Sequence, residues 1–215
     1  MRVKLDLHVH TTYSFDSVID PAALREICRE RGLDGVAITD HDSLRGSLEF
    51  ASELPDLLIV PGSEIRSVEG EIIGLFLSEE VPPGLTAPET MRRIHEQGGV
   101  VVIPHPFDIV KLKRMRASRL EELKEEIDAV EALNGKPRWW FANRSALRFA
   151  QKHHMPVTAG SDAHKAGHVG LLYTDMEDFT SPEEFLVSLR SASVHGKRYS
   201  PWSSQLDRWK ARLRK

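Results

Sequence analysis

Closely spaced histidines and aspartates give this sequence the means to bind divalent metal ions. His8 and His10 are two residues apart in a segment that alternates apolar and polar residues. In a β-strand this spacing points both imidazoles to one face. Asp162 and His164 show the same spacing near the other end of the chain. Imidazole nitrogen and carboxylate oxygen suit zinc, manganese or iron, so the pattern predicts a metal site.

The composition limits the kind of metal site that can form. The chain contains ten histidines but a single cysteine, Cys28. An internal disulfide and a multi-cysteine zinc or iron–sulfur site are therefore excluded, and any metal is bound by nitrogen and oxygen. The formal charge of −3, from 29 basic and 32 acidic residues, provides no global field that attracts nucleic acid. Binding of a nucleic acid would require a local patch.

Short apolar segments typical of β-strands precede the candidate ligands and alternate with helical patterns. Gly35 to Thr39 leads to His41, and Val100 to Ile103 leads to His105. Such alternation predicts parallel βαβ units, and either a barrel or a doubly wound sheet is consistent with it. Both folds place their sites at the carboxyl ends of the strands. The ionisable residues expected at that edge are His8, His10, His41, Glu64, His105, Glu131, Asp162 and His164.

Local signals predict the boundaries of several elements. Asp20 and Pro21 are typical of a helix start and Gly32 of a helix end. Leu57 to Val60 and Glu64 to Val68 are predicted as separate strands. The second of these is expected to form a hairpin with Ile72 to Leu77.

The length of 215 residues favours one domain, over residues 1–215. Residues 176–215 are predicted to form a C-terminal helical extension packed on it, because Leu206, Trp209 and Leu213 make one apolar stripe. The longest apolar run has six residues, far fewer than a membrane helix needs. The start of the sequence lacks the pattern of a secretory signal. We therefore expect a cytoplasmic protein without membrane association.

Seven short motifs follow one another in an order that resembles the polymerase and histidinol phosphatase (PHP) family, over about residues 1 to 175. They are His8-Val9-His10-Thr11-Thr12-Tyr13-Ser14, Asp16, Thr39-Asp40-His41, Gly62-Ser63-Glu64, Pro104-His105-Pro106, Glu131 to Asn134, and Gly160-Ser161-Asp162-Ala163-His164. The resemblance implies an α/β fold, a distorted (β/α)7 TIM-like barrel. It also implies a centre of two or three divalent ions (zinc, manganese or iron) that hydrolyses phosphoesters with metal-activated hydroxide.

The resemblance also assigns the ligands. His8, His10, Glu64 and Asp162 would hold one ion. Glu64 would bridge to a second ion bound by His105. Asp16, His41 and His164 would hold the third. Asp162, His164 and Glu64 are the residues expected to act in catalysis.

One departure from the family pattern affects the second ion. Many small relatives carry a histidine in the strand after the bridging glutamate, where the segment Gly70 to Gly74 of this chain offers isoleucine. Either the second ion has fewer protein ligands or Glu131 completes its shell. Glu131 could instead orient a ligand. Occupancy by two ions is thus as consistent with the sequence as occupancy by three.

A phosphate substrate also requires cationic side chains near the site. The basic residues near the predicted edge are Arg66, Lys111, Lys113, Arg114, Arg116, Lys136, Arg138, Arg144 and Lys165. Of these, Arg116 and Arg144 are the preferred phosphate ligands, because the planar fork of arginine matches a terminal phosphate.

Three functions are compatible with these features. The leading hypothesis is a metal-dependent phosphoesterase acting on a small phosphorylated molecule of the nucleotide or sugar phosphate type. The alternatives are a nuclease that trims oligonucleotides and a non-catalytic, metal-binding regulatory barrel. The acidic balance of the chain counts against the nuclease. The substrate, the metal and the oligomeric state stay open at this stage.

Overall fold

The computed structural model describes residues 1–110, 114–136 and 141–196. The strands are β1 (Arg2–Val9), β2 (Gly35–His41), β3 (Leu58–Arg66), β4 (Glu71–Leu75), β5 (Val100–Ile103), β6 (Ala129–Asn134), β7 (Val157–Gly160), β8 (Leu172–Glu177) and β9 (Ser193–Gly196). The α-helices are α1 (Pro21–Arg31), α2 (Arg45–Glu53), α3 (Ala87–His95), α4 (Ala117–Glu122), α5 (Phe141–Lys152) and α6 (Pro182–Leu189). Two short 3₁₀ helices cover Lys124–Glu126 and Ala166–His168.

The strands form one sheet in the order β7-β6-β5-β4-β3-β2-β1-β8-β9. Strands β1 to β3 pair in parallel, as do β5 to β7. Between these two groups, β4 is antiparallel to both neighbours. The predicted hairpin is therefore confirmed, and it separates the two groups of parallel strands.

The sheet curves until its two ends nearly meet. The backbone N–H of Asp162, just after β7, donates to the carbonyl of His8 in β1 at 2.8 Å, and His10 N–H donates to Ala163 O at 3.0 Å. At the other end of β1, strand β8 pairs antiparallel with residues 2–5. The architecture is a distorted α/β barrel, which confirms the barrel prediction over the doubly wound sheet.

Helix boundaries follow the capping signals in the sequence. The Asp20 carboxylate accepts the N–H of Ala23 at 2.8 Å, and α1 ends at Gly32, whose φ of 61° is the left-handed conformation that glycine tolerates. Side chains of Thr86 and Ser181 cap α3 and α6 in the same way.

Some predicted elements differ from the structure. The two strands predicted over 57–60 and 64–68 form the single strand β3, and β8 and β9 were not predicted. Within the predicted helical extension, the described residues 176–196 hold α6 but also the end of β8 and all of β9. The helix predicted around Leu206, Trp209 and Leu213 lies outside the described residues, as do Lys111, Lys113 and Arg138.

Apolar side chains pack in the barrel and beneath its helices. One buried cluster joins Leu5 and Leu7 of β1 to Phe185 of α6, and another packs α1 and α2 against β1 and β2. The described helices are too short or too polar to cross a bilayer.

Candidate metal centre

The innermost part of the centre consists of His8, His10 and Asp162, all fully buried. The Nε2 atoms of the two histidines are 3.1 Å apart. Asp162 Oδ1 lies 3.4 Å from His10 Nε2 and 3.8 Å from His8 Nε2. Their ligand atoms thus converge on one point, as the spacing in β1 and the closure of the barrel require.

Glu64 occupies the middle of the centre. Its Oε1 lies 2.9 Å from His105 Nε2 and 3.6 Å from His8 Nε2. Its Oε2 lies 3.1 Å from His41 Nδ1 and 3.5 Å from His10 Nε2. One carboxylate facing four imidazoles has the geometry of a bridge between ions.

Asp16, His41 and His164 form the outer part of the centre. Asp16 Oδ2 lies 3.1 Å from His164 Nε2, and its Oδ1 lies 3.7 Å from His41 Nε2. The exposed fractions of the three side chains are 38% for Asp16, 14% for His41 and 15% for His164. We call these three residues the outer ligands, and the buried His8, His10, Glu64, His105 and Asp162 the inner ligands.

Glu131 orients a ligand. Its Oε1 lies 2.9 Å from His8 Nδ1, the ring nitrogen that faces away from the other ligands. Its Oε2 accepts the backbone N–H of His105 at 2.7 Å and the amide of Asn134 at 2.8 Å. Among the described residues, Glu131 joins none of the candidate ligand clusters. Both oxygens contact groups that position His8 and His105, which favours the orienting role expected as the alternative for Glu131. Direct ligation of a metal by Glu131 stays a prediction.

Glu71 is a site residue that the sequence analysis missed. Its buried carboxylate has Oε2 at 3.7 Å from His105 Nε2, and it clusters with His41 and Glu64. In the segment Gly70 to Gly74 isoleucine was expected at the place of the missing ligand, whereas the structure brings the preceding Glu71 to the centre. The signal was present, because Glu71 is the only charged residue of β4. A buried acid at the end of an apolar strand is rare unless it is paired.

Lys136, just after β6, reaches the centre. Its Nζ lies 2.8 Å from Asp162 Oδ1 and 2.9 Å from His164 Nδ1. The two arginines preferred from the sequence, Arg116 and Arg144, are both exposed, one preceding α4 and the other in α5. Their role as phosphate ligands stays a prediction.

Residues of the centre adopt unusual backbone conformations. Positive φ angles occur at Asp42 (53°), His105 (33°) and Asp162 (52°), although none of them is glycine. Such conformations cost free energy and collect at functional sites. The fold therefore maintains local strain where the ligands are presented.

Charge at the centre fits divalent cations. Glu64, Glu71 and Asp162 are buried together, and buried carboxylates must be paired with positive charge. Burial lowers the pKa of His8, but the carboxylates of Glu131, Asp162 and Glu64 outweigh it and raise that pKa well above its usual value. Burial dominates at His10 and lowers its pKa. A nitrogen and oxygen donor set with this excess of acid suits zinc, manganese or iron.

The outer ligands show the same coupling of charges. Burial disfavours charged His41, yet Asp16 and Glu64 together raise its pKa to about 9. Burial also works against ionisation of Asp16, but His164 and His41 hold the pKa of its carboxyl well below the ordinary value. The carboxylates of Asp16 and Glu64 thus favour a positive charge at the place where an ion would bind.

Asp6 lies outside the candidate ligands and holds together two segments that carry them. Its fully buried carboxylate accepts the N–H of Ser161 at 2.8 Å and that of Gly170 at 2.7 Å. Burial raises the pKa of this carboxyl to about 6, although these backbone hydrogen bonds oppose the shift. Asp6 thus ties β1 to the loop that carries Asp162.

Phe15 lies at the mouth of the centre. Its side chain is 83% exposed, and its ring stacks on His41 with 5.4 Å between centroids. An exposed aromatic ring beside a candidate ligand can contact whatever enters the site.

Comparisons with known proteins agree with this architecture. Residues 140–194 match a family model described as PHP-associated. The chain is 38% identical over 157 residues to an uncharacterised protein of Methanocaldococcus jannaschii, and the match covers 67% of this chain and 90% of that protein.

Two solved structures share the fold. One is a two-domain protein from Bacteroides vulgatus that contains a predicted PHP-like metal-dependent phosphoesterase (TM-score 0.74, 18% identity, 91% of this chain and 65% of the other covered). The other is an endonuclease Q in complex with a 27-mer duplex that has an abasic lesion at the active site (TM-score 0.69, 18% identity, 92% and 60% covered). This chain spans less than two thirds of either structure.

The protein is thus an α/β barrel with a candidate metal centre of histidines and carboxylates at one edge of its sheet. The chain belongs to the PHP family.

Proposed function

We propose that this protein is a metal-dependent phosphoric ester hydrolase that acts on a small phosphorylated molecule of the nucleotide or sugar phosphate type. The observation that carries the proposal is the linkage of the candidate ligand clusters. His10 is shared by two clusters, and so are His8, Glu64 and His41, so that each cluster joins the next. A linked set of this kind suits two or three ions held close together, as phosphoester hydrolysis uses them.

The ligands divide among the ions as follows. His8, His10, Asp162 and Glu64 would hold the first ion. Glu64, His105 and Glu71 would hold the second. The outer ligands Asp16, His41 and His164 would hold the third. In this assignment Glu71 takes the place in the shell of the second ion that Glu131 was one candidate to fill.

Bound divalent ions would supply Lewis-acid activation of water and neutralisation of charge at phosphorus. The protein contributes orientation. Glu131 fixes the ring of His8 and the backbone of His105, and Ser14 fixes the ring of His10 through Nδ1 at 3.1 Å. The ammonium of Lys136, beside Asp162 and His164, adds positive charge where a phosphoryl oxygen would approach.

Metal content and hydrolysis of p-nitrophenyl phosphate, measured on the same unchelated preparation, test this proposal. We expect at least two manganese or zinc ions per chain and release of phosphate, with activity abolished by Asp162→Ala and by His10→Ala. His95→Gln is the matched control, because His95 pairs with Asp128 away from the centre. Activity that survives both alanine substitutions would exclude this function. Tightly bound metal without turnover of any phosphoester would favour the non-catalytic barrel.

Nuclease activity is the second candidate, and the exposed Phe15 ring favours it. Aromatic side chains beside a catalytic centre stack on unpaired bases. The solved endonuclease Q with a lesion-containing duplex has the same fold. Cleavage of short oligonucleotides and of nucleoside monophosphates should be compared across a salt series, since binding to a polymer weakens steeply with salt. Faster cleavage of the oligonucleotide, lost in Phe15→Ala, would favour the nuclease.

A further inference from the structure

A cleft of about 370 Å³ lies next to the candidate metal centre, between the β3–β4 hairpin (residues 66–71) and the segment Pro83–Gly84. Glu71 lines it and also contacts His105 of the centre. The cleft therefore adjoins the inner ligands. Its volume lies at the lower end of the range of roughly 300–1,000 Å³ typical of small-molecule pockets.

Hydrogen bonds fix the walls of the cleft. Gly84 N–H donates to Arg66 O, and Val68 N–H donates to Leu85 O, both at 2.8 Å. The hairpin turn requires Gly70, because a Cβ there would lie 2.5 Å from the backbone nitrogen of Met115. The cleft is thus formed before any ligand enters.

Arg66 is positioned to act in this cleft. It follows Glu64 by two residues in β3 and lies opposite Glu71 in the β-ladder, so its side chain emerges on the face that carries these two carboxylates. Asp42, directly after the ligand His41, accepts the Arg66 backbone N–H at 2.8 Å through Oδ1 and the Arg66 Nε–H through Oδ2. Anchoring at Nε leaves the two terminal amines of the guanidinium for a ligand.

The two acidic side chains that line the cleft, Glu69 and Glu71, interact with other groups of the protein. Glu69 turns away, because its carboxylate accepts the backbone N–H of Ala87 at 2.7 Å and pairs with Arg119 at 3.2 Å. Glu71 faces His105. The Arg66 side chain is 46% exposed, whereas its partner Asp42 is 10% exposed. The group presented to an entering molecule is therefore the arginine.

We propose that this cleft receives the alcohol portion of the phosphoester and that Arg66 binds a second anionic group on that portion, a carboxylate or a further phosphate. The inference rests on the proposed function, since it assumes that the phosphoryl group sits at the metal centre. Arg66 is placed at the entrance, outside the buried ligands, so it meets the part of the substrate beyond the reacting phosphorus. The substrate class is then a small phosphorylated molecule with two anionic groups.

Calorimetric titration of the metal-loaded protein with non-hydrolysable phosphonates tests the assignment. Phosphonoacetate and 3-phosphonopropionate carry a carboxylate at two distances from phosphorus. Ethylphosphonate and propylphosphonate are their counterparts, in which a methyl group replaces the carboxylate. We expect at least one carboxylated compound to bind about tenfold more tightly than its counterpart, as expected for one charge-assisted hydrogen bond to arginine. Equal affinity within both pairs would overturn the proposal.

Three variants locate the effect. Arg66→Met should abolish the difference within each pair. Asp42→Asn should reduce it, because asparagine tolerates the positive φ at this position and can still accept the backbone N–H, yet it releases Nε. Arg25→Met is the matched control, since Arg25 is 48% exposed and also pairs with an aspartate, Asp56. An unchanged difference in Arg66→Met would contradict the assignment, because binding of the carboxylate would not depend on this arginine.

Failure of this inference and failure of the proposed function have different outcomes. Hydrolysis of p-nitrophenyl phosphate without any preference for the carboxylated phosphonates would overturn only the role of Arg66. Preference for those phosphonates in a protein that hydrolyses no phosphoester would remove the proposed function and support the anion site. The calorimetric arm does not depend on turnover.

Discussion

The inner and outer ligands of the candidate metal centre differ in how firmly the fold holds them. Inner rings are buried and fixed from behind, His8 by Glu131 and His10 by Ser14. The outer His41 and His164 are partly exposed, and their shared partner Asp16 lies in the loop after β1. Affinity for a metal rises when its ligands are already in place. An ion at the inner ligands should therefore be held tightly, and one at the outer ligands should exchange.

The largest effect is expected from Asp162→Asn, which removes a carboxylate from the inner ligands. We expect hydrolysis to fall by more than about a thousandfold, or about 4 kcal/mol in activation free energy, and the metal content to drop by at least one ion. Turnover together with elemental analysis measures both quantities. A variant with full metal content and near-normal activity would show that the inner ligands are not the catalytic ones.

A smaller effect is expected from Asp16→Asn, which weakens only the outer ligands. The reason is that His41 and His164 remain, so the outer ion binds less tightly instead of being lost. Activity should fall by roughly 10- to 100-fold at low metal concentration and recover when manganese is raised. Recovery should fail in Asp162→Asn. If neither variant is rescued by added metal, the distinction between inner and outer ligands is wrong.

Glu131→Gln tests whether the contacts of Glu131 with His8 and His105 increase the affinity of the inner ligands for metal. The amide cannot reproduce both acceptor contacts of the carboxylate, to His8 Nδ1 and to the backbone of His105. Affinity for the inner ion should fall by about 10- to 100-fold. Competition with a chelator measures this fall. An unchanged affinity would indicate that burial alone secures the inner ion.

Chelation kinetics compare the two sets of ligands in the unmodified protein. A fast phase, from the outer ligands, should precede a slow phase from the buried ones, because water and chelator reach Asp16 far more easily than Asp162. Stopped-flow mixing with a chromogenic chelator resolves the phases. Release of all ions in one phase would contradict the difference.

The smallest effect is expected from His95→Gln, outside both sets of ligands. The hydrogen bond to Asp128 raises the pKa of His95. The pair therefore stabilises the fold fully below the unfolded histidine pKa of about 6.5, and this contribution is lost as pH rises through the higher folded pKa. The pair is one-third exposed, so the substitution should cost less than about 1 kcal/mol at pH 6. Chemical denaturation at pH 6 and pH 9 measures it, and a larger cost at pH 9 would contradict the sign.

Much of the centre follows from local spacing in the sequence. The alternation around His8 and His10 places both rings on one face of β1, and Asp162 lies two residues after the end of β7. Capping residues such as Asp20 also act locally and mark a helix start. What depends on one strand or one turn could therefore be predicted, as for α1 and for the hairpin of β3 and β4.

Features that depend on distant partners could not be predicted. The place of Glu71 is set by its register opposite Arg66 in an antiparallel pair. Its position as a single charged residue beside an apolar run is visible in the sequence, but the side chains that it meets are not. Glu131 is distinguished as an orienting residue only by its distances to His8 and His105. Strands β8 and β9 were missed because each relies on a neighbouring strand for its conformation and not on a strong apolar run.

Barrel closure joins the beginning of the chain to a segment that is synthesised much later. The hydrogen bonds between His8 and Asp162, and between His10 and Ala163, connect β1 to the residues after β7, and Asp6 reinforces this seam through Ser161 and Gly170. During translation, the inner ligands are complete only after Asp162, the last of them in the sequence, has left the ribosome. An ion held by the inner ligands would therefore bind only after nearly all of the barrel has been synthesised.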